Sequence, residues 1–210
     1  FLDKVEFCIW QIKQTSKNPM NLAIVKYNAG NIQSVLFALE RLGLDAKVTD
    51  DFEELQKADK VIFPGVGHAY AAMQSLKENG LDKVIVSLKQ PVLGICLGMQ
   101  LMCRHSQEGD TSCLGIFDTD IQLFESAVLK VPQIGWNNIY DYRSVLFEGL
   151  DEAVFVYTVH SYYAAIAKDT VAKTDYIIPY SAALQKDNFY GVQFHPEKSG
   201  LVGETILKNF

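Results

Sequence analysis

The stretch "PVLGICLGMQ", Pro91 to Gln100, carries an apolar run into a helical pattern with a cysteine at the corner. "PVLGI" lacks the polar alternation of a half-exposed strand, as expected of a strand covered on both faces of a parallel sheet. "LGMQLMCRH" reads as the helix that follows it. The same unit recurs upstream, as strand "NLAIVKY", loop "NAGN", helix "IQSVLFALERLG", strand "AKVTD", short helix "FEELQKA" and strand "KVIFPG". A longer helical stretch over Ala69 to Lys89 leads back to Pro91. In the helix after Asn31, apolar residues return at Ile32, Val35, Leu36, Leu39 and Leu42, a 3.6-residue period that Gly43 is placed to stop. Strand and helix alternate, so the first half predicts an α/β fold with a doubly wound, mostly parallel sheet.

After Leu114 the pattern shortens into β segments: "GIFDTDIQLF", "VPQIGWNNI", "AVFVYTVHSYYA", "TVAKTDYI", "SAALQKDN" and "FYGVQFH". Only "GETILKNF" at the end is helical again. This half is expected to add a mixed or antiparallel extension to the sheet. No internal repeat or linker divides the chain, so residues 20–210 read as one domain. Residues 1–19 stand apart. They precede Met20, at which a clean strand pattern begins, and read as a leader or an N-terminal extension; "VEFCIWQI" within them is also apolar enough for an extra edge strand.

The chain has 210 residues, 49% of them apolar, enough for one substantial core. Its formal charge of −6 and scattered Lys and Arg argue against nucleic acid as a partner. No run approaches the roughly 20 apolar residues that span a bilayer, so no membrane partner is expected. Cys8, Cys96, Cys103 and Cys113 show neither CxxC nor zinc-ligand spacing, which fits a reducing, cytoplasmic setting and calls for no metal.

Cys96 lies in Gly94-x-Cys96-x-Gly98, the thiol counterpart of a nucleophile elbow, where small neighbours permit a sharp strand-to-helix turn. The helix that starts at the thiol offers free amides and a positive dipole end, favouring a thiolate and able to hold an oxyanion. A cysteine in an apolar run is also an ordinary packing residue, and the two glycines are what weigh against that. A thiol nucleophile needs a base. His68 and His105 stand in polar, helix-flanking settings and His160 on a strand, whereas His195 ends the strand "YGVQF" and is followed by Pro196 and Glu197. In an extended segment residues two apart share a side, so Glu197 can fix the ring of His195, and Cys96, His195 and Glu197 form a triad. "FPGVG", Phe63 to Gly67, ends at the same edge of the sheet. The amide of Leu97 with one from Val66 or Gly67 then makes an oxyanion hole.

With "PGVG", "GICLGMQ" and "FHPEKS" in this order, the chain resembles the class I, triad-type glutamine amidotransferases. The finer pattern "YNAGN", "PGVGHA", "VPQIGWN", "VHSYY" and "QFHPEKSG" resembles the family of glutaminase subunits of imidazole glycerol phosphate synthase, over Met20 to Phe210. The resemblance implies a flavodoxin-like sheet. It also implies attack by Cys96 on the side-chain amide of glutamine, with His195 moving the proton and Glu197 orienting it. Glutamine would be held by Gln100, by main chain at Gly65 to Gly67, and by Ser161 and Tyr162. Ammonia would pass, within a heterodimer and without a cofactor, to a (β/α)-barrel cyclase subunit in histidine biosynthesis. Partner-facing residues by the same resemblance are Asn31, Gln133, Ile134, Trp136, Tyr157 and Lys198. Two positions depart from the family pattern: Gln133, often histidine, and Ala29 in "YNAGN". The competing expectations are a glutaminase serving another synthase, a stand-alone hydrolase of γ-glutamyl peptides, and a silent binding subunit, which would typically lack a triad member.

Overall fold

In strand β1 (Leu22–Val25), Leu22 and Ile24 pack into one apolar cluster and Ala23 and Val25 into another, so both faces of the sheet are covered. The computed structural model describes residues 20–27 and 31–210; the expectations placed on residues 1–19, Cys8 and Ala29 lie outside the described residues. β1 pairs in parallel with β2 (Ala46–Thr49) and β3 (Lys60–Gly65), and β3 in turn with β4 (Val92–Cys96). Beyond β4 lies β13 (Phe189–Val192), also parallel although it comes last in the chain. β12 (Pro179–Lys186) continues the sheet antiparallel to β13, followed by β10 (Tyr162–Ala164) and β7 (Asp120–Leu123). β5 (His105–Ser106) and β6 (Thr111–Ser112) close that edge, and β11 (Thr170–Asp175) branches off β12. The division expected at Leu114 holds only in part: β13 joins the parallel strands from the far end of the chain, and β5 and β6 of the extension precede Leu114.

Helices α1 (Ile32–Arg41) and α6 (Gly200–Asn209) bury Val35, Leu39 and Ile206 on one face of the sheet. Against the same face lies a separate hairpin of β8 (Gln133–Ile139) and β9 (Val154–His160), through Ile139, Val154 and Val156. The other face is covered by α2 (Phe52–Lys57), α3 (Ala69–Glu78) and α4 (Leu81–Ser87). Asp51 caps α2 by accepting from the amide of Glu54 at 2.9 Å, next to acidic residues in the first turn.

Two expected helices end early. The stretch Ala69–Lys89 breaks between α3 and α4 at Gly80, whose φ of 68° is a left-handed conformation that glycine adopts without strain. The helix after Cys96, α5, covers only Leu97–Leu101 instead of reaching His105. Amides of Leu114, Ile116 and Gly115 take the carbonyls of Leu101, Met102 and Cys103, the acceptors that a longer helix needs. Cys103 therefore sits past the helix end, and His105 falls on β5, paired with Asp110 at 2.9 Å.

Candidate active site

Three strands end together at the carboxyl edge of the parallel sheet. Gly65 at the end of β3 is in register with Cys96 at the end of β4, and on the other side Val192 of β13 pairs with Ile95. The chain leaving β13 thus carries Gln193 and His195 over the same edge. Cys96 has φ 54° and ψ −112°, a conformation forbidden to most L-residues, as a side chain held at a strained strand-to-helix corner requires. Gly98 is what allows the corner: a Cβ there would lie 1.9 Å from the Phe63 carbonyl oxygen. At Gly94 it would meet the Met99 amide at 2.8 Å.

His195 and Glu197 have side chains that are each 2% exposed, and Nδ1 of the ring donates to Glu197 Oε1 at 2.8 Å. The segment is not extended, contrary to the expectation from sequence. Pro196–Lys198 forms a 3₁₀ turn, and it is this turn that brings the carboxylate back under the ring. The turn is braced on β9: the His195 amide donates to the Tyr157 carbonyl, and Ser199 Oγ, which accepts from the Tyr157 amide, donates to the His195 carbonyl. With Nδ1 committed, Nε2 is the nitrogen left free; it is buried with no hydrogen-bond partner among the described residues. Burial opposes charge on this ring, but the Cys96 sulfur and the Glu197 carboxylate outweigh it and push His195 up to about 10. A proton arriving from a nearby thiol is therefore held there. By contrast, burial pushes Cys103 well up and Cys113 up to about 12, so neither offers a thiolate near neutral pH.

A cavity of about 270 Å³ opens over Cys96, lined by Val66, Gly67, Leu97, Gln100, Ser161 and Tyr162 among others. Seven of the residues singled out from the sequence thus share one cavity. Gly65 faces instead a smaller cavity of about 10 Å³ on the triad side, together with Asn31, Val66, His195 and Glu197. The larger cavity also contains Glu108, which sequence reasoning missed. Its Oε2 accepts from the Ala69 amide at 2.6 Å at the start of α3, leaving a carboxylate in a site otherwise lined by neutral groups and His160. Nothing in "SQEGDTS" marks it locally, since only the β5–β6 turn brings it to the cavity. Gln193 was missed as well; it lies on the bend between β13 and the Pro196–Lys198 turn, where no local pattern marks it. Tyr27 Oη donates to the Pro64 carbonyl at 2.8 Å and pins the root of the Val66–Gly67 loop.

The supposed partner-facing residues divide. Ile134 and Trp136 are 64% and 58% exposed, although large and apolar. Trp136 meets Tyr157 edge-on at 6.1 Å, and exposed Lys198 sits over the Tyr157 ring with Nζ 5.9 Å from its centroid. Phe155, on the same face of the hairpin and 60% exposed, joins them unforeseen. Gln133 does not belong to that surface. It is 5% exposed because the alternation of β8 turns it inward, where its side chain meets Tyr180 Oη at 2.9 Å. Tyr180 in turn bonds Nε2 of His160, whose Nδ1 donates to the Tyr162 carbonyl at 2.8 Å. Stripped of water, His160 is held down to about 4 despite that carbonyl, and His195 nearby adds to the effect.

A buried thiol at a strained elbow, with a cavity over it and a buried imidazole–carboxylate pair beside it, is the arrangement that cysteine-dependent acyl transfer requires. The family model for the class-I glutamine amidotransferases matches residues 23–210, and the chain belongs to that family. It is 60% identical over 193 residues to the imidazole glycerol phosphate synthase subunit HisH of Bacteroides fragilis, spanning 91% of this chain and 98% of that one. With HisH of Escherichia coli strain K12 the identity is 45% over the same shares. Among solved structures, a putative GMP synthase subunit from Thermoplasma acidophilum superposes with a TM-score of 0.71 at 20% identity, over 92% of this chain and 93% of that one. PurLQS from Thermotoga maritima gives 0.66 at 16%, over 91% and 97%. These two likenesses concern the fold alone. No helix among the described residues is long and apolar enough to cross a membrane.

Proposed function

We propose that the chain is the glutaminase subunit of an imidazole glycerol phosphate synthase and that Cys96, His195 and Glu197 are its triad. The observation that carries the reading is the strained Cys96 corner with the His195–Glu197 pair buried beside it. The sulfur, its proton already held on Nε2 of His195, attacks the γ-carboxamide carbon of glutamine. The negative oxygen is met by the amide of Leu97 with one from Val66 or Gly67. Collapse of this intermediate breaks the C–N bond, His195 returns the proton to the departing nitrogen, and ammonia leaves a γ-glutamyl thioester. Water, deprotonated by the same imidazole, then releases glutamate and regenerates the thiol. Glu197 takes no proton; it holds the ring in the tautomer that exposes Nε2.

Glu108 supplies the charge that a zwitterionic amino acid needs opposite its α-ammonium group, and Gln100, Ser161 and Tyr162 give polar contacts along the rest of the substrate. Ammonia is protonated in open water, so the product must leave into a sealed space. The apolar face of Ile134, Trp136, Phe155 and Tyr157, edged by Lys198 and Asn31, is the surface on which a (β/α)-barrel cyclase subunit would close. Residues 20–210 are read as one glutamine amidotransferase domain. A glutamine-analogue diazo-ketone tests the chemistry: one adduct per chain, mapped by peptide mass to Cys96 and absent in Cys96→Ala, is expected. Labelling that persists in Cys96→Ala would exclude the assignment.

A further inference from the structure

Gln193 is 1% exposed and lies between two groups of the site. Its Oε1 accepts from Gln100 Nε2 at 2.9 Å, and its own Nε2 points at Cys96 Sγ at 3.7 Å. Gln100 Nε2 makes a second bond, to the Tyr162 carbonyl, also at 2.9 Å. An amide nitrogen has two hydrogens, and both are now spent. The Gln100 amide therefore cannot turn over without breaking two buried bonds, and its remaining group, the carbonyl oxygen, is the one left for the cavity that Gln100 lines. Reversing Gln193 instead would set its nitrogen against the Gln100 nitrogen, donor against donor, and leave an oxygen facing sulfur. The two orientations are locked together.

We propose that Gln193 is a positioning residue for glutamine hydrolysis: it fixes Gln100 with its carbonyl oxygen toward the substrate as an acceptor for a substrate N–H, and it supplies an N–H donor to the Cys96 sulfur. The proposal rests on the glutaminase reading above and adds to it a residue that touches no substrate. The two roles separate experimentally. The KM for glutamine reports Gln100, whereas alkylation of Cys96 by iodoacetamide needs no glutamine and reports the donor on sulfur.

The test is a double-mutant cycle on the full chain, assayed with its synthase partner. Gln193→Leu is expected to raise KM about fivefold and to slow Cys96 alkylation about threefold, the loss of one hydrogen bond in each case. In a Gln100→Leu background the KM effect of Gln193→Leu should vanish while the alkylation effect remains, a split that a packing defect would not produce. Multiplicative KM effects in the cycle, or alkylation at the parent rate, would overturn the proposal. Gln193→Met is the second variant should leucine prevent folding. In the unmutated chain the side-chain amide protons of Gln193 should shift in NMR spectra when Cys96 is alkylated, and their failure to move would also overturn it. If the parent itself hydrolyses no glutamine with its partner yet alkylates at Cys96, it is the glutaminase reading that fails.

Discussion

At the scale of single residues, the site divides into what a short motif carries and what only folding assembles. The proposed triad of Cys96, His195 and Glu197 is legible because each assignment depends on near neighbours: glycines two places on either side of the thiol, and a carboxylate two places after the imidazole. Glu108 and Gln193 are not, because their roles arise from contacts with Ala69, Gln100 and Cys96 that no local spacing announces. Glu197→Gln keeps the volume but lets the ring turn over, and kcat should fall about 10³- to 10⁴-fold with little change in KM, read by steady-state glutaminase assays. His160 gives the chain a pH dependence of a definite sign. Its folded value of about 4 lies below the ordinary 6.5, so between these values the unfolded chain binds the extra proton and stability falls as pH falls. This group alone should cost about 2 kcal/mol between pH 7 and pH 5, measured by urea unfolding. The stability gap between the parent and His160→Gln should narrow by that amount over the same window.

Among the elements, strand positions were readable from their apolar runs, because burial on both faces leaves no other pattern for β1, β3 and β4. Helix ends were not. α5 stops at Leu101 because residues 114–117 compete for its carbonyls, and an apolar "LMC" continues the helical pattern in sequence after the backbone has left it. The inward turn of Gln133 is the same lesson for a strand: in "PQIGWN" the alternation was visible, but which face met the core depended on how the β8–β9 hairpin docks. The corner between β4 and α5 is where element packing is least forgiving. Gly98→Ala would drive a methyl into the Phe63 carbonyl, a backbone atom that cannot step aside, and should cost more than about 4 kcal/mol in denaturant unfolding. Gly149, at φ 78° with open space around its missing Cβ, provides the contrast: Gly149→Ala should cost only about 1 kcal/mol.

For the whole molecule, the sheet places the proposed triad at one edge and, through the turn at Pro196–Lys198 braced on β9, ties it to the exposed apolar face of the hairpin. The face was anticipated only through resemblance, since exposure of Trp136 is a property of the finished surface. If a synthase subunit covers it, Trp136→Ala should weaken association by about 2 kcal/mol, roughly 30-fold in Kd by titration calorimetry, while leaving the alkylation of Cys96 unchanged. Catalysis should depend on that union too. Gly65 and Gly67 flank Val66, so the peptide proposed to complete the oxyanion hole can turn at small cost, and a hole left unformed in the free chain would forfeit about 3 to 4 kcal/mol of transition-state stabilisation. The most direct measurement is glutamate release from glutamine by the chain alone and with the barrel partner and its nucleotide ligand. Slow hydrolysis alone and a rise of several hundredfold in the liganded complex are expected. Equal rates in the two conditions would overturn the partner-dependent reading and make the chain a hydrolase that works without a partner.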